Sequence, residues 1–525
     1  MLRSAVDLLG KQWSRVLTKN NSKYTRTLTS THTLTRACKS YASTTTSSQA
    51  DSVTTASSSK EAPALDIHLG QPASWTHAHL VNTNELTPMV TFDEYKHRRR
   101  ALMDSLPANS CVILPGHATS LMSADIPYPF RQNNDMAYVS GFEEPDSVCI
   151  IRTKGNAFSS ADDEESLKMA LVVPPKDAHS EKWNGARTGT SFAKAHFGAD
   201  DAYTPPQLVN ALDDYLKDVE HIFYEHRTPV HTLFNKTIQT YLAEHKHRIP
   251  LVSPTKIVQQ LRLYKSESEY RIMKRCGDIS SRAFVQTMKA TKPGVSEHIL
   301  DAVMDFECRK EGCKRLAYPP VVAGGNRANT LHYVNNNNIV EDGDLVLIDA
   351  GGELYNYAAD ITRTYPANGK FSPAQKKVYN AVLRTLEDLT SLCRPSQKLS
   401  LNVLHEQSRR LLFDELVQLG IITGGQSQSN LKLLNRWYPH HIGHYVGMDV
   451  HDLGLISRSE TLKEGMVICL EPGLYFAKDD IDVPEEFRGI GIRIEDDLII
   501  TSDGYEVLSS GCPKSVDQIE ALMSA

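Results

Sequence analysis

The sequence lacks several features that would each assign it to a class of protein. No apolar run approaches the ~20 residues that a transmembrane helix needs. The nine cysteines are scattered without a repeated CxxC pair, so no zinc site of clustered cysteines is indicated and reduced, buried thiols are expected. A net charge of -6 over 525 residues gives no indication of a nucleic-acid partner, and no solenoid repeat is visible. What remains is an ordinary globular composition, with 40% hydrophobic and 23% charged residues.

Charge is unevenly distributed along the chain. Residues 1–50 contain eight basic residues and a single acid, Asp7, so they carry +7; because the total is -6, residues 51–525 carry -13. A start that is rich in Arg, Ser and Thr and poor in acids is typical of an organelle transit peptide. We therefore predict a mitochondrial transit peptide and a disordered linker over residues 1–65, with a disordered basic tail as the alternative.

Two folded units are predicted after this segment, because the chain is too long for a single core. The first, residues 66–254, opens with a helix pattern at Phe92–Leu106. Short β-rich runs and a further helix pattern then alternate, which indicates an α/β layer. The runs that predict strands are Cys111–Leu114, Met136–Val139, Ser147–Arg152, Ala170–Val173 and His221–Tyr224.

The second unit, residues 255–525, begins with a long helix. Ser266 and Glu269 form a capping box at its start. The apolar residues that then recur at helical spacing are Ile272, Cys276, Ile279 and Ala283. Amphipathic helices are also predicted at Pro373–Leu392 and Asn402–Leu419, and the strands between the helices carry polar motifs. Helices that alternate with antiparallel strand pairs predict an α+β domain.

Four carboxylates and one imidazole stand in separate motifs of this second unit. They are Asp349 in LVLIDAGG, Asp360 in AADITRTY, His444 in HHIGHYVGMDVHD, Glu471 in CLEPGLYF and Glu495 in GIRIEDD. An oxygen-rich set of this kind suits hard or borderline divalent ions, manganese first and zinc or cobalt next. Because carboxylates bridge, five such ligands can hold two ions with a hydroxide between them. The pattern is typical of a two-metal hydrolase site.

Strand alternation brings these side chains to one face. In Ile490–Glu495 the three isoleucines point one way and the polar side chains the other. Asp349 ends an apolar strand, and the turn signal at Gly351–Gly352 predicts that the next strand folds back and brings Asp360 beside it. Taken singly, each residue has a plainer interpretation as a turn former, a helix cap or an exposed polar group. Their conjunction in one order and spacing favours a metal site.

The C-terminal half resembles the pita-bread metallopeptidases, the family of methionine aminopeptidase, prolidase, aminopeptidase P and the metal-free creatinase. The eleven-residue separation of Asp349 and Asp360 matches the aminopeptidase P and prolidase branch. The same holds for EPGLY, GIRIEDD and the HxxxHxxGxxxHD pattern from His440 to Asp452.

The N-terminal half resembles the same branch. The matching motifs are YPFRQNND at 128–135, SGF at 140–142 and WNGARTG at 183–189. GQP at 70–72 and ELTP at 85–88 are similar to the mitochondrial Xaa-Pro aminopeptidase subgroup, which includes the fungal and plant intermediate-cleaving peptidases. The resemblance therefore implies a C-terminal pita-bread catalytic domain and an N-terminal creatinase-like α/β domain.

The resemblance also implies roles for individual residues. Two divalent ions, most readily Mn²⁺, would be held by the metal ligands Asp349, Asp360, His444, Glu471 and Glu495. The implied catalytic residues are His332, His451, Glu471 and Arg493, and the implied substrate-binding residues are Tyr318, His332, His440 and His451. Arg493 would orient Asp349. Asp135 would reach the amino terminus of the substrate across a subunit boundary.

The function implied is a mitochondrial aminopeptidase that removes one residue from the N-termini of peptides or imported proteins, as a homo-oligomer (dimer or tetramer). Two substrate rules remain open at this point. One requires proline in the second position, and the other trims destabilising residues (Tyr, Leu, Phe) exposed by presequence removal. A prolidase restricted to dipeptides is the enzymatic alternative. A metal-free scaffold is the other alternative, and the five filled ligand positions argue against it.

Overall fold

The computed structural model describes residues 68–153, 167–245 and 249–524. The predicted transit peptide and linker, residues 1–65, lie outside them. All of the described residues belong to one compact unit, Ala64–Ala525. Among their helices, none combines the length and the apolar character that crossing a bilayer requires.

A mixed sheet of six strands organises the N-terminal half and follows a short hairpin. The hairpin strands are β1 (Glu85–Thr87) and β2 (Val90–Thr91), and the sheet strands are β3 (Ser110–Pro115), β4 (Val148–Thr153), β5 (Leu167–Val172), β6 (Asp201–Tyr203), β7 (His221–Phe223) and β8 (Leu251–Val252). Their spatial order is β6-β5-β4-β3-β7-β8. Strand β4 is antiparallel to both of its neighbours, and the remaining pairs are parallel. Four of the five predicted strands are thereby confirmed.

Helices cover this sheet. They are α1 (Phe92–Asp104), α2 (Asn134–Ser140), α3 (Ala178–Asn184), α4 (Gly189–Ala195), α5 (Leu208–Tyr215) and α6 (Thr232–Glu244), with a 3-10 turn at Pro205–Gln207. The strand predicted at Met136–Val139 is wrong, because these residues belong to α2. The Asn133 side chain accepts a hydrogen bond from the Met136 backbone N–H, and Gly141 ends the helix with a φ of +68°. A short apolar run does not by itself distinguish a buried helix from a strand.

The second half contains longer helices and four small antiparallel sheets. The helices are α7 (Thr255–Arg262), α8 (Glu267–Ala290), α9 (Glu297–Lys310), α10 (Pro373–Leu392), α11 (Leu401–Gln418), α12 (Gln428–Leu434) and α13 (Val516–Met523), with 3-10 turns at Gly325–Asn329, Pro395–Gln397 and Glu485–Phe487. The strands are β9 (Arg315–Leu316), β10 (Val321–Gly324), β11 (Leu345–Ala350), β12 (Gly352–Leu354), β13 (Tyr357–Ala358), β14 (Ile361–Pro366), β15 (Val467–Leu470), β16 (Gly473–Tyr475), β17 (Gly491–Arg493), β18 (Asp496–Ile500) and β19 (Tyr505–Val507). They pair in the orders β10-β11-β14, β13-β12-β9, β15-β18-β19 and β16-β17. The predicted α+β architecture is confirmed.

Local sequence accounts for the long helix α8. The Ser266 hydroxyl accepts a hydrogen bond from the Glu269 backbone N–H (3.2 Å), and the Glu269 carboxylate accepts one from the Ser266 N–H (2.9 Å). This reciprocal arrangement is the predicted capping box. The four residues predicted to form the apolar face are all buried: Ile272, Cys276, Ile279 and Ala283.

Apolar side chains pack on both faces of the N-terminal sheet. Val112 and Cys149 belong to a core that continues through the C-terminal half, whereas Ile113 and Ile150 pack with α5 and α6 in a separate core. The alternation follows from the two-residue period of a strand. Helix α7, which starts just after the predicted domain boundary at residue 254, packs against α1 and α2. The boundary itself stays a prediction.

Candidate metal centre

Two neighbouring strands bring Asp349 and Asp360 together. Strand β11 pairs with β14 in a register that places Asp349 opposite Thr362, and Asp360 directly precedes β14. The Tyr318 hydroxyl lies 2.7 Å from Asp349 Oδ1 and 2.5 Å from Asp360 Oδ1. The two carboxylates therefore converge, as the strand pattern predicted.

The chain reverses between these strands at a different place from the one predicted. Gly352 begins strand β12, and the reversal falls at Tyr355 and Asn356, whose φ angles are +50° and +71°. Gly351 serves a different purpose: a Cβ at this position would lie 1.8 Å from the carbonyl oxygen of Ala359. The missing side chain permits a close approach of two backbone segments, because any larger residue would push them apart.

His444 and Glu495 complete a buried cluster with Asp360. His444 Nε2 lies 3.4 Å from Asp360 Oδ2 and 4.0 Å from Glu471 Oε1. Glu495 is joined to the same sheet by a backbone bridge to Thr362. The Nδ1 atom of His444 contacts the Tyr445 carbonyl oxygen at 3.1 Å, which leaves Nε2 directed at the carboxylates. Asp360, His444 and Glu495 are each at most 8% exposed, so these charges lie out of bulk solvent.

Arg493 joins the Asp349 carboxylate to neighbouring side chains. It donates hydrogen bonds to Asp349 Oδ2 (2.6 Å), to the Tyr475 hydroxyl (2.9 Å) and to Thr362 Oγ1 (3.2 Å). Thr362 in turn donates to Glu495 Oε2 at 2.6 Å. The predicted contact between Arg493 and Asp349 is present. The guanidinium holds Asp349 in one orientation, which is what a partner behind a metal ligand provides.

Sequence reasoning missed four residues at this site. Thr362 and Tyr475 bond Arg493, and Asp497 Oδ2 accepts a hydrogen bond from the Asp360 backbone N–H at 2.8 Å. The fourth is Cys469. One potential ligand atom from each of Asp360, His444, Cys469 and Glu495 lies within 4.8 Å of the others. Strand alternation was the available signal for the cysteine, because it stands two residues before Glu471 and faces the same way.

The remaining predicted site residues are His332, His440 and His451. The ring of His451 stands 4.3 Å from the ring of His444, at an angle of 68°. His440 Nε2 lies 2.9 Å from the Tyr475 hydroxyl, and its Nδ1 lies 3.7 Å from the Glu471 carboxylate. Burial lowers the pKa of His451, and the nearby His444 and His332 add to that effect. His332 itself is exposed, in the turn after the 3-10 helix Gly325–Asn329.

Without a cation, the pKa values of three groups in the cluster are raised: Glu471, Glu495 and His444. Burial raises the pKa of Glu471 to about 7, a rise that Asp360 increases and that His444 and Arg493 oppose. Burial and the neighbouring Asp360 likewise raise the pKa of Glu495 well above its ordinary value. Burial opposes the charged form of His444, but Asp360 and Glu471 outweigh it and raise the pKa of the imidazole to about 9.

This donor set fits a divalent metal. Buried carboxylates that repel one another need a counter-charge, and a divalent cation supplies two positive charges in the volume of one atom. Carboxylate oxygens with one imidazole suit manganese, zinc and cobalt, and a thiol in reach adds to the affinity for the softer ions. The residues present therefore match a metal site on their chemistry.

Metal binding at pH 7 is expected to release more than one proton per chain, because ligands must be deprotonated before they coordinate. At this pH His444, with a pKa of about 9, carries a proton, and Glu471, with a pKa of about 7, is half protonated. Calorimetric titration with Mn²⁺ in buffers of different ionisation enthalpy measures the number released. Affinity should weaken as the pH falls below about 9 and more steeply below about 7. Binding heats that are the same in every buffer would contradict the assignment of these groups as ligands.

Comparison with known families gives two matches. Residues 271–502 match the model described as metallopeptidase family M24. Residues 95–224 match that of the aminopeptidase P N-terminal domain. The chain is 40% identical to human Xaa-Pro aminopeptidase 3, over 87% of this chain and 91% of that protein. It is 36% identical to intermediate cleaving peptidase 55 of Saccharomyces cerevisiae, over 87% and 89% respectively.

Solved structures give the same result. The crystal structure of the yeast intermediate cleaving peptidase has a TM-score of 0.76 at 37% identity, and covers 84% of this chain and 99% of that one. Zinc-substituted aminopeptidase P of Escherichia coli in complex with product has a TM-score of 0.76 at 33% identity, with 83% and 98% covered. The predicted fold class, a C-terminal pita-bread domain with an N-terminal α/β domain, is confirmed by these neighbours.

Proposed function

The chain belongs to the aminopeptidase P branch of metallopeptidase family M24 and is a metallo-aminopeptidase, and from this premise we propose that it acts in mitochondria on the N-termini of peptides or imported proteins. The observation that carries the proposal is the convergence of Asp360, His444 and Glu495 on one buried point, with Asp349 fixed by Arg493. The acid-poor, Arg- and Ser/Thr-rich start of the sequence supports the location. We propose a homo-oligomer, a dimer or a tetramer, as the working form.

We propose two divalent ions, manganese in the first place. Asp360 and Glu495 would bridge them, His444 and Glu471 would hold one, and Asp349 would hold the other. When bound, such a pair supplies a hydroxide at neutral pH and polarises the scissile carbonyl. Arg493 keeps Asp349 turned toward the site through its 2.6 Å hydrogen bond.

Glu471 is the residue suited to move protons. Its carboxylate lies 3.7 Å from His440 Nδ1 and 4.0 Å from His444 Nε2, within reach of the groups proposed to hold metal and substrate. A group of this kind would take the proton from the attacking water and deliver it to the leaving nitrogen. His440, whose pKa burial lowers to about 3, stays neutral beside it and can serve as a hydrogen-bonding partner for the substrate.

The other residues bind the peptide. His451, beside the ring of His444, would steady the oxyanion that develops on the scissile carbonyl. His332, which is exposed, would hold the residue after the cleaved bond. Tyr318, with its hydroxyl against both Asp349 and Asp360, would line the pocket with His440.

Of the two substrate rules, we propose the trimming of a destabilising residue after presequence removal. The relatives carry names of both kinds, Xaa-Pro aminopeptidase and intermediate cleaving peptidase. The expected result for the full chain with Mn²⁺ is that peptides beginning with Tyr, Leu or Phe lose that residue about tenfold faster than peptides beginning with Ser. Mass spectrometry of the products measures the release. A chain that hydrolyses only peptides with proline second follows the other rule.

The cell provides a second test of the same proposal. Mitochondrial proteins sequenced from cells without this chain should begin one residue earlier than in cells that contain it, and that residue should be Tyr, Leu or Phe. A comparison of an Arg-Pro-Pro tripeptide with a Gly-Pro dipeptide separates an aminopeptidase from a prolidase. Hydrolysis of the dipeptide alone would identify a prolidase, because that enzyme takes only dipeptides.

A further inference from the structure

His451 lies on a short loop that closes back on itself. The backbone N–H of Asp452 donates to the Tyr445 carbonyl oxygen at 3.0 Å, and the Gly447 N–H donates to the Asp449 carbonyl oxygen at 3.1 Å. Residues 446–452 are called the His451 loop below. Immediately after it, Leu453 adopts a φ of +57°, a conformation that a leucine holds only when its surroundings impose it. Contacts from elsewhere in the fold must therefore set the position of this loop.

Arg262 supplies the principal contact. It is the last residue of α7 and is 3% exposed. Its guanidinium donates hydrogen bonds to Asp452 and to Asp135 Oδ1 (2.9 Å), and it lies 3.6 Å from the Asp449 carboxylate. Two of these three carboxylates belong to the His451 loop. The third, Asp135, lies in the first turn of α2 in the N-terminal half.

A second arginine, Arg131, also contacts the loop. Arg131 donates to Asp449 Oδ1 at 3.2 Å and to the Met448 carbonyl oxygen. It is itself anchored by a 2.6 Å hydrogen bond to Glu353, which is 1% exposed. Both arginines stand outside the loop in sequence, so two anchored cations from elsewhere in the chain contact the loop.

Close packing around Gly447 and Asp452 restricts the conformation of the His451 loop. A Cβ on Gly447 would lie 2.2 Å from the Asp452 carboxylate. The Lys265 ammonium is buried there, 4.0 Å from Asp452 Oδ2, and neither of these two atoms has a hydrogen-bond partner among the residues that the structure describes. The firm hydrogen bond of the Asp452 side chain is thus the one from Arg262. If that hydrogen bond is lost, the buried Asp452 carboxylate needs a new partner. Water can reach it only if the loop moves.

We propose that Arg262 is a positioning residue, and that Asp135 acts through it: the pair fixes Asp452 and thereby places His451 against His444. The proposal rests on the proposed function, which gives His451 its role at the oxyanion. It also gives Asp135 a role different from contact with the substrate's amino terminus. Asp135 is 9% exposed, and its Oδ1 already accepts a hydrogen bond from Arg262 of the same chain.

Substitution R262K tests the proposal, since lysine keeps the charge but cannot bond Asp135 and Asp452 together. We expect kcat to fall by about 10- to 100-fold, as for other groups that orient a functional residue, with KM within about twofold of the parent. The matched control is R98K. Arg98 is also buried, at 6% exposure, and donates to Glu94 (2.6 Å) and to the Tyr138 carbonyl, both outside the His451 loop. R98K should leave kcat within about twofold.

Hydrogen exchange provides a measurement that does not depend on peptidase activity. R262K should speed amide exchange in the peptide covering residues 446–452, whereas R98K should leave it unchanged. If the parent chain hydrolysed no peptide, the proposed function would fail while this measurement still decided the positioning role. Unaltered exchange in the loop and unaltered kcat in a folded R262K protein would overturn the inference.

A double-mutant cycle identifies what Asp135 does. If Asp135 acts through Arg262, D135N lowers kcat, and D135N with R262K costs little more than R262K alone. If Asp135 instead holds the substrate's amino group, D135N raises KM, and the separate effects of D135N and R262K on kcat/KM multiply in the double variant. This outcome would reject the proposal that Asp135 acts through Arg262. Should R262K not fold, D135N decides alone: a lowered kcat supports the proposal, and a raised KM with unchanged kcat overturns it.

Discussion

Substitution of Asp360 by alanine is expected to lower kcat/KM by at least ~1,000-fold while the chain stays folded. Asp360 contacts the imidazole of His444 and the hydroxyl of Tyr318, and it is 4% exposed. Its loss removes a proposed bridging ligand, so two ions would have no shared carboxylate on that side. The fold should survive, because the substitution also removes one negative charge from a crowded group of carboxylates.

Thermal unfolding separates loss of metal from loss of structure. At 100 times its dissociation constant, Mn²⁺ should stabilise the parent by about 2.7 kcal/mol, and D360A should gain far less. Asp503→Ala is the control, because Asp503 is an exposed turn residue whose side chain contacts Thr501. It should keep both the activity and the stabilisation by Mn²⁺. Full activity in D360A would exclude Asp360 as a metal bridge.

The second large effect is expected for Arg493→Met. Arg493 is 3% exposed and donates to Asp349, Tyr475 and Thr362. Removal of one partner of a buried charge pair typically costs about 3–5 kcal/mol of stability, because the other charge is left unpaired. We also expect kcat/KM to fall by about 100-fold, since Asp349 is no longer held toward the site.

Arg493→Lys provides the matched comparison. It keeps the positive charge beside Asp349 but cannot bond Tyr475 and Thr362 at the same time. Chemical denaturation should therefore place its stability between those of the parent and R493M, and its activity should follow the same order. If R493M unfolds at the same denaturant concentration as the parent, the ion pair between Arg493 and Asp349 does not stabilise the fold.

The sequence allowed the convergence of the carboxylates to be anticipated because strand periodicity and short motifs are local signals. Asp349 and Asp360 converge as the apolar strand and the following strand indicated, and Arg493 meets Asp349. The position of the turn was not predictable from its glycines. The requirement for Gly351 comes from the Ala359 carbonyl oxygen, a contact made only in the folded chain.

Long-range contacts explain the other differences. Strand alternation was a local signal for Cys469, but it could not show that the sheet brings its sulfur among the carboxylates. The bonds of Arg262 join residues 127 and 190 positions away, so no window of sequence contains both partners. The same limit applies to Met136–Val139, where capping by Asn133 and Gly141 outweighs the strand-like composition of the run.

The raised pKa values of Glu471 and Glu495 have a consequence for the lifetime of the protein in a cell. A carboxyl group whose pKa is higher in the folded state than in the unfolded one makes folding less favourable as pH rises through the interval between the two values, here from about 4.5 to about 7 for Glu471. Near pH 7, a newly folded chain without metal ions therefore has nearly all of this unfavourable contribution to its free energy of folding. Such a chain should open more often and be more readily degraded, so its abundance should follow the supply of the divalent metal as well as the rate of synthesis.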